Sequence, residues 1–99
     1  MLRTLLLLLL LLGLLASASA GDKKQAVFAV GCYDVGAATL EHRPGVLQVH
    51  KGWQQDKWNH FQEINRVEYD PQRVSVEQLE SWLKEARTWR ATLPEANKE

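Results

Sequence analysis

Cys32 is the only cysteine of the 99-residue chain. It follows the short apolar run Ala26-Val27-Phe28-Ala29-Val30 through Gly31, and an amphipathic segment begins just after it. Such a run reads as a buried strand feeding a helix, which puts Cys32 at or beside the helix N-terminus. Unpaired amide N–H groups and the positive end of the helix dipole favour a thiolate there, and a thiolate is a nucleophile. The same position also suits a small buried hydrophobe at a strand end. Glu63 is the second residue with chemistry to offer. It lies mid-way along His60–Tyr69, whose alternation puts Phe61, Glu63, Asn65, Val67 and Tyr69 on one face. A carboxyl among apolar neighbours favours the protonated form and is a ready general acid. The competing reading is a strand residue on a partly exposed surface, paired with Lys51 across the ladder. His42, His50 and His60 are scattered and lack ligand spacing such as C-x-x-C or H-x-x-x-H, so no metal site is expected.

The elements that must position these groups can be read in order. Ala26–Val30 is a continuous apolar strand of the kind buried on both faces. Asp34 to about Arg43 reads as a short helix, with Asp34 in its first turn, His42-Arg43 in its last, and Pro44-Gly45 as its stop. Val46–Trp53 alternates as a strand, with Leu47, Val49, Lys51 and Trp53 on one face. Gln54–Asn59 is a polar connection, His60–Tyr69 a second alternating strand, and Asp70-Pro71 its end. Ser75 then opens a helix: Ser75 with Gln78 has capping-box spacing, and Val74 with Leu79 has staple spacing. Val76, Leu79, Leu83 and Ala86 form its apolar stripe, with Trp82 beside it. Thr88–Leu93 continues the helix or forms a short last strand, and Pro94 ends either. The order βαββα, with that last strand, predicts an α+β ferredoxin-like sandwich: an antiparallel sheet with two helices on one face.

Composition bounds the setting. Met1-Leu2-Arg3, the leucine run from Leu5 to Leu15 and Ala18-Ser19-Ala20 read as a secretory signal peptide over residues 1–20, cleaved after Ala20. Its apolar core is shorter than the about 20 residues a spanning helix needs. The mature chain, residues 21–99, is then one small domain, secreted or periplasmic. Twelve basic residues less Arg3 leave eleven against twelve acidic ones, a net charge near −1. That balance offers no patch for nucleic acid, and no membrane association is expected after signal cleavage. One cysteine makes no internal disulfide framework. The thiol is inert, paired with another molecule, or kept reduced for use.

The order and spacing of several motifs resemble one family. The chain reads Gly31-Cys32-Tyr33-Asp34-Val35, then Pro44-Gly45-Val46, Glu63, Tyr69-Asp70-Pro71 and Val74-Ser75-Val76-Glu77, and ends in Thr88-Trp89-Arg90-Ala91-Thr92-Leu93. From Ala26 to about Leu93 this resembles the class A peptide-methionine sulfoxide reductases. That family has G-C-F-W-G after a strand, P-G-V after a helix, a central Glu before Y-D-P, a helix opening I-S-Y-E, and a last strand Q-Y-R-S-A-I. The resemblance implies reduction of methionine S-sulfoxide in peptides or proteins, with Cys32 as nucleophile and Glu63 as acid. It implies Tyr33, Asp34 and Trp89 as substrate-binding positions. It implies no bound cofactor, a sulfenic acid on Cys32, and, with no second cysteine, recycling by an external thiol such as a thioredoxin-like protein or dithiothreitol. The departures are specific. Asp34 stands where the family has a methyl-pocket Trp, and Val35 where it has Gly. The tyrosine-bearing loop is cut to Gln54–Asn59, where Trp58 is the only aromatic. The alternative is a non-catalytic extracytoplasmic binding module descended from the same family. A third reading is a protein that pairs with a partner chain through Cys32.

Overall fold

The computed structural model describes residues 22–94. The expected signal peptide and the polar tail from Glu95 lie outside the described residues. Four strands, β1 (Lys24–Val30), β2 (Val46–Gln55), β3 (Phe61–Tyr69) and β4 (Trp89–Leu93), form one sheet in the order β2-β3-β1-β4. Every neighbouring pair is antiparallel. The helices α1 (Tyr33–Leu40) and α2 (Val76–Glu85) are the crossovers of the two halves. The chain is therefore an α+β protein with the ferredoxin-like strand order.

The core explains why both helices share a face. Ala26, Phe28 and Val30 of β1 and Val67 and Tyr69 of β3 cluster with Leu40 of α1 and with Leu79 and Leu83 of α2. The opposite parity of β1, Val27 and Ala29, is buried as well. A strand inside the sheet with both faces closed needs an uninterrupted apolar run, and residues 26–30 supply it.

The helix ends are set by local chemistry. In α1 the N-cap is Cys32, with extended backbone (φ −145°, ψ 119°). The helix closes at Leu40, earlier than the Arg43 expected from sequence. His42 adopts a left-handed conformation (φ 72°), and Arg43 Nε returns to donate to the Thr39 carbonyl at 3.0 Å. Arg43 thus caps the helix from outside, while its guanidinium lies over the Trp82 ring at 4.8 Å. In α2, the Ser75 hydroxyl accepts the Gln78 N–H at 3.1 Å, as the capping spacing predicts. Its C-terminus is a Schellman turn: Arg87 is left-handed (φ 61°), its N–H meets the Lys84 carbonyl, and the Thr88 N–H meets the Leu83 carbonyl. This turn delivers Thr88, buried, beneath Cys32.

Two bulges shift side chains from where simple alternation puts them. One lies between Val46 and Gln48, so Leu47 leaves the Val49–Lys51–Trp53 face and is exposed. The other lies in β4 against Ala29–Val30: Ala91 opposes Ala29 and Trp89 opposes Val30, leaving Arg90 unmatched. Register also separates the pair suggested above. Lys51 opposes Asn65, and Trp53 opposes Glu63.

Candidate active site

The turn from Gly31 to Tyr33 sits at the end of β1 and is clamped by side chains from distant parts of the chain. The Cys32 N–H donates to the Thr88 hydroxyl oxygen at 3.1 Å, and that hydroxyl lies 3.3 Å from the Cys32 carbonyl as donor. The Gly31 N–H donates to the Thr88 carbonyl at 2.7 Å. One residue on, the Tyr33 N–H donates to Glu63 Oε1 at 2.8 Å, and Asn65 Nδ2 donates to the Tyr33 carbonyl at 3.1 Å. Each backbone polar group of Cys32 and Tyr33 therefore has a side-chain partner from β3 or from the α2–β4 turn. A buried polar group left unpaired costs about 1–3 kcal/mol, so this set fixes the backbone that carries the thiol.

Glu63 does two things from one position. Its Oε1 accepts the N–H of Tyr33, an orphan donor of the first helical turn. The same bond holds the carboxyl one residue from the thiol-bearing Cys32, which is half-buried. Strand parity reaches this arrangement because Glu63 and Asn65 point from β3 towards α1, and successive same-face residues grip the two ends of one peptide residue.

Close approach of α1 to β3 depends on Gly36. A Cβ there would lie 1.9 Å from Asn65 Oδ1, which no side-chain rearrangement short of moving Asn65 tolerates. Asn65 is fully buried, and its Oδ1 has no hydrogen-bond partner. Its oxygen faces the bare Cα of Gly36 while its nitrogen holds Tyr33.

A cleft of about 150 Å³ opens beside this turn, lined by Val30, Gly31, Trp53, Phe61, Gln62, Glu63 and Arg90. That is about five water molecules' share of liquid volume, enough for a short side chain. Trp53 and Phe61 form its aromatic wall; Cys32 and Tyr33 are not among the lining residues, but the Tyr33 ring continues the edge-to-face run from Trp53. Tyr33 and Trp53 lie 5.7 Å apart, and Trp53 and Phe61 lie 6.4 Å apart. Trp53 is 58% and Phe61 67% exposed, so both present apolar surface to an incoming ligand.

The remaining expected residues fall as follows. Asp34 is exposed and its carboxylate accepts from Lys51 Nζ at 2.8 Å. Lys51, held above its ordinary value of 10.5 by that bond and by the Asp34 charge, also lies 5.8 Å from the Tyr33 ring centre. The Asp34 charge thus faces a cation. Trp89 lies outside the cleft: its Nε1 donates to the Thr92 hydroxyl at 3.1 Å and Lys84 covers its ring at 4.5 Å. Arg90, its bulged neighbour, is the β4 residue that reaches the cleft. Trp58 is at the exposed hairpin tip under Lys57.

Sequence reasoning did not single out Thr88, Asn65, Trp53 or Arg90 for the site. Trp53 was legible as the face-mate of Lys51 on β2. The other three act through a helix-ending turn, a close helix–strand approach and a bulge, which leave no periodic trace.

A larger depression of about 400 Å³, between Glu41, His42 and the start of β2, is lined by neither Cys32 nor Glu63. Among the described residues no three or more His, Cys, Asp or Glu gather as metal ligands, and no helix is long and apolar enough to cross a membrane. No family model, curated protein or solved structure matches the chain.

Proposed function

We propose that this chain reduces methionine S-sulfoxide, with Cys32 as nucleophile and Glu63 as acid. The observation that carries the reading is the bond from the Tyr33 N–H to Glu63. It holds an acid and the chain's only thiol at one helix N-terminus beside an aromatic cleft. The resemblance to the class A peptide-methionine sulfoxide reductases supports the same pair.

The chemistry balances with these groups alone plus a thiol. The Cys32 thiolate attacks the sulfoxide sulfur while Glu63 delivers a proton to the oxygen. The S–O bond of the substrate breaks and its oxygen ends on the Cys32 sulfur. Methionine leaves, reduced by two electrons, and Cys32 is a sulfenic acid. One external thiol condenses with it, releasing water and forming a mixed disulfide. A second thiol displaces that disulfide and restores Cys32. The ring edges of Tyr33, Trp53 and Phe61 supply the apolar contact for the methyl end. Trp53 thereby takes over a task for which Asp34, tied to Lys51, is unsuited.

The test is turnover of methionine S-sulfoxide, free and in a peptide, with excess dithiothreitol. Wild type is expected to release methionine and Cys32→Ser to release none. Equal release by both, or none by wild type, removes the reading. The second reading, a non-catalytic binding module, is favoured by the exposed aromatics Trp53, Trp58 and Phe61 on one hairpin. It predicts binding of methionine-containing ligands that is indifferent to Cys32→Ser, without turnover.

A further inference from the structure

We propose that Arg90 is a carboxylate anchor, so that the cleft takes methionine sulfoxide whose own α-carboxylate is free, as the amino acid or as the last residue of a peptide. The inference rests on the proposed sulfoxide reduction and names its substrate class.

Three observations carry it. First, the β4 bulge leaves Arg90 without a partner residue on β1 and brings its side chain over the end of that strand. A Cβ on Gly31 would lie 3.6 Å from Arg90 Nε and 3.8 Å from one terminal nitrogen, so the guanidinium roofs the residue next to the thiol. Second, its charge is uncommitted among the described residues, where no carboxylate forms an ion pair with Arg90. Glu63 shares the cleft but spends one oxygen on the Tyr33 N–H, and the other nearby cation, Lys51, is taken by Asp34. Third, the cleft's lining combines apolar and cationic chemistry. Trp53 and Phe61 are apolar and aromatic, Arg90 is cationic, and Val30, Gly31, Gln62 and Glu63 complete the lining. Such a lining suits a ligand that carries both an apolar group and an anion. The cleft's volume of about 150 Å³ is on the scale of one side chain. A guanidinium offers a carboxylate two parallel N–H donors, which fixes orientation as well as charge.

The experiment uses the Cys32→Ser chain, which binds without reacting, and follows tryptophan fluorescence. N-acetyl-methionine S-sulfoxide is compared with its N-methylamide, which differs only in lacking the carboxylate. The acid is expected to bind about fivefold tighter, the upper range for one partly exposed ion pair. The gap should narrow as salt is raised. In Arg90→Gln the acid should fall to the level of the amide, and Arg90→Lys should retain part of the gap. Equal binding of acid and amide overturns the proposal, as does a gap that survives Arg90→Gln. Free methionine S-sulfoxide and a tripeptide ending in it separate the two sources: binding of both admits peptide ends, and binding of the amino acid alone restricts the cleft to it. The two readings fail separately. A carboxylate preference without turnover in wild type sinks the reductase and keeps the anchor; turnover by Cys32 with no carboxylate preference sinks the anchor and keeps the reductase.

Discussion

The turn that carries Cys32 and the β2–β3 hairpin both contribute residues to one cleft, Gly31 from the first and Trp53 and Phe61 from the second, and the turn and the hairpin tip are held by opposite means. At the thiol turn the backbone is gripped by Thr88, Glu63 and Asn65, two of them buried and all distant in sequence. At the hairpin tip the chain is held by its own neighbours. The Asp56 carboxylate accepts the N–H groups of Trp58 and His60 at 2.9 Å each, in the open. Local, solvated bonds open easily, whereas buried long-range ones open with the core. The contrast assigns the tasks. In the proposed reaction the reacting atoms belong to the clamped side, and the exposed rings Trp53 and Phe61 to the hairpin.

The largest expected effect tests the clamped side through its acid. Glu63→Gln keeps an oxygen to accept the Tyr33 N–H but lacks the proton to give. Turnover should fall by on the order of 10²–10⁴ while the unfolding midpoint stays close to wild type. A large loss of stability with it would mean that Glu63 serves mainly to hold the helix. Next, Gly36→Ala forces a methyl against Asn65 and should cost about 1–3 kcal/mol in denaturant unfolding. Adding Asn65→Ala should recover part of that loss, and a double-mutant cycle reads the coupling. Thr88→Val leaves the Cys32 N–H without its acceptor and should cost about 1–2 kcal/mol, with Thr88→Ser restoring it.

Changes on the hairpin should be milder and of another kind. Trp53→Ala should raise KM about three- to tenfold with a smaller change in kcat, as for loss of one aromatic contact. Trp58→Ala, whose ring lies outside the cleft, should move neither. The smallest effect is in acid. Asp56 is held below its ordinary 3.8, chiefly by the His60 N–H, and Glu68 below its ordinary 4.5, chiefly by its bond to His50. A lowered folded value means that each contributes stability above the unfolded value, lost as pH falls through the folded one. As pH falls below 3.8, amide protection should therefore be lost first at Trp58 and His60. Gly31 and Cys32, whose partner Thr88 does not titrate, should stay protected. Simultaneous loss at both places would erase the distinction between the two regions.

Much of the scaffold was legible because it is written in short-range patterns. The apolar run at 26–30, the alternation through Glu63, and Ser75 before its helix each specify local structure, and the sheet follows from their order. Glu63 came to the helix side because parity is conserved along an unbroken strand. Where the pattern breaks, the reading stopped. Leu47 and Arg90 sit at bulges that one extra residue creates, and α1 ends at Leu40 because Arg43 caps it with its side chain. Trp89, assigned by resemblance, and Arg90, assigned by geometry, differ by one residue across such a bulge. The buried Asn65 looked like any polar residue of an alternating strand; only the bare Cα of Gly36 opposite shows why it fits.

The central claim is that Cys32 takes the oxygen from the sulfoxide beside Glu63, and a single turnover without reductant tests it most directly. Reduced chain is mixed with excess methionine S-sulfoxide, released methionine is counted, and Cys32 is probed with dimedone. One methionine per chain, with a dimedone adduct on Cys32 that forms far more slowly in Glu63→Gln, is the predicted result. No methionine, or methionine without oxidation of Cys32, would contradict the account.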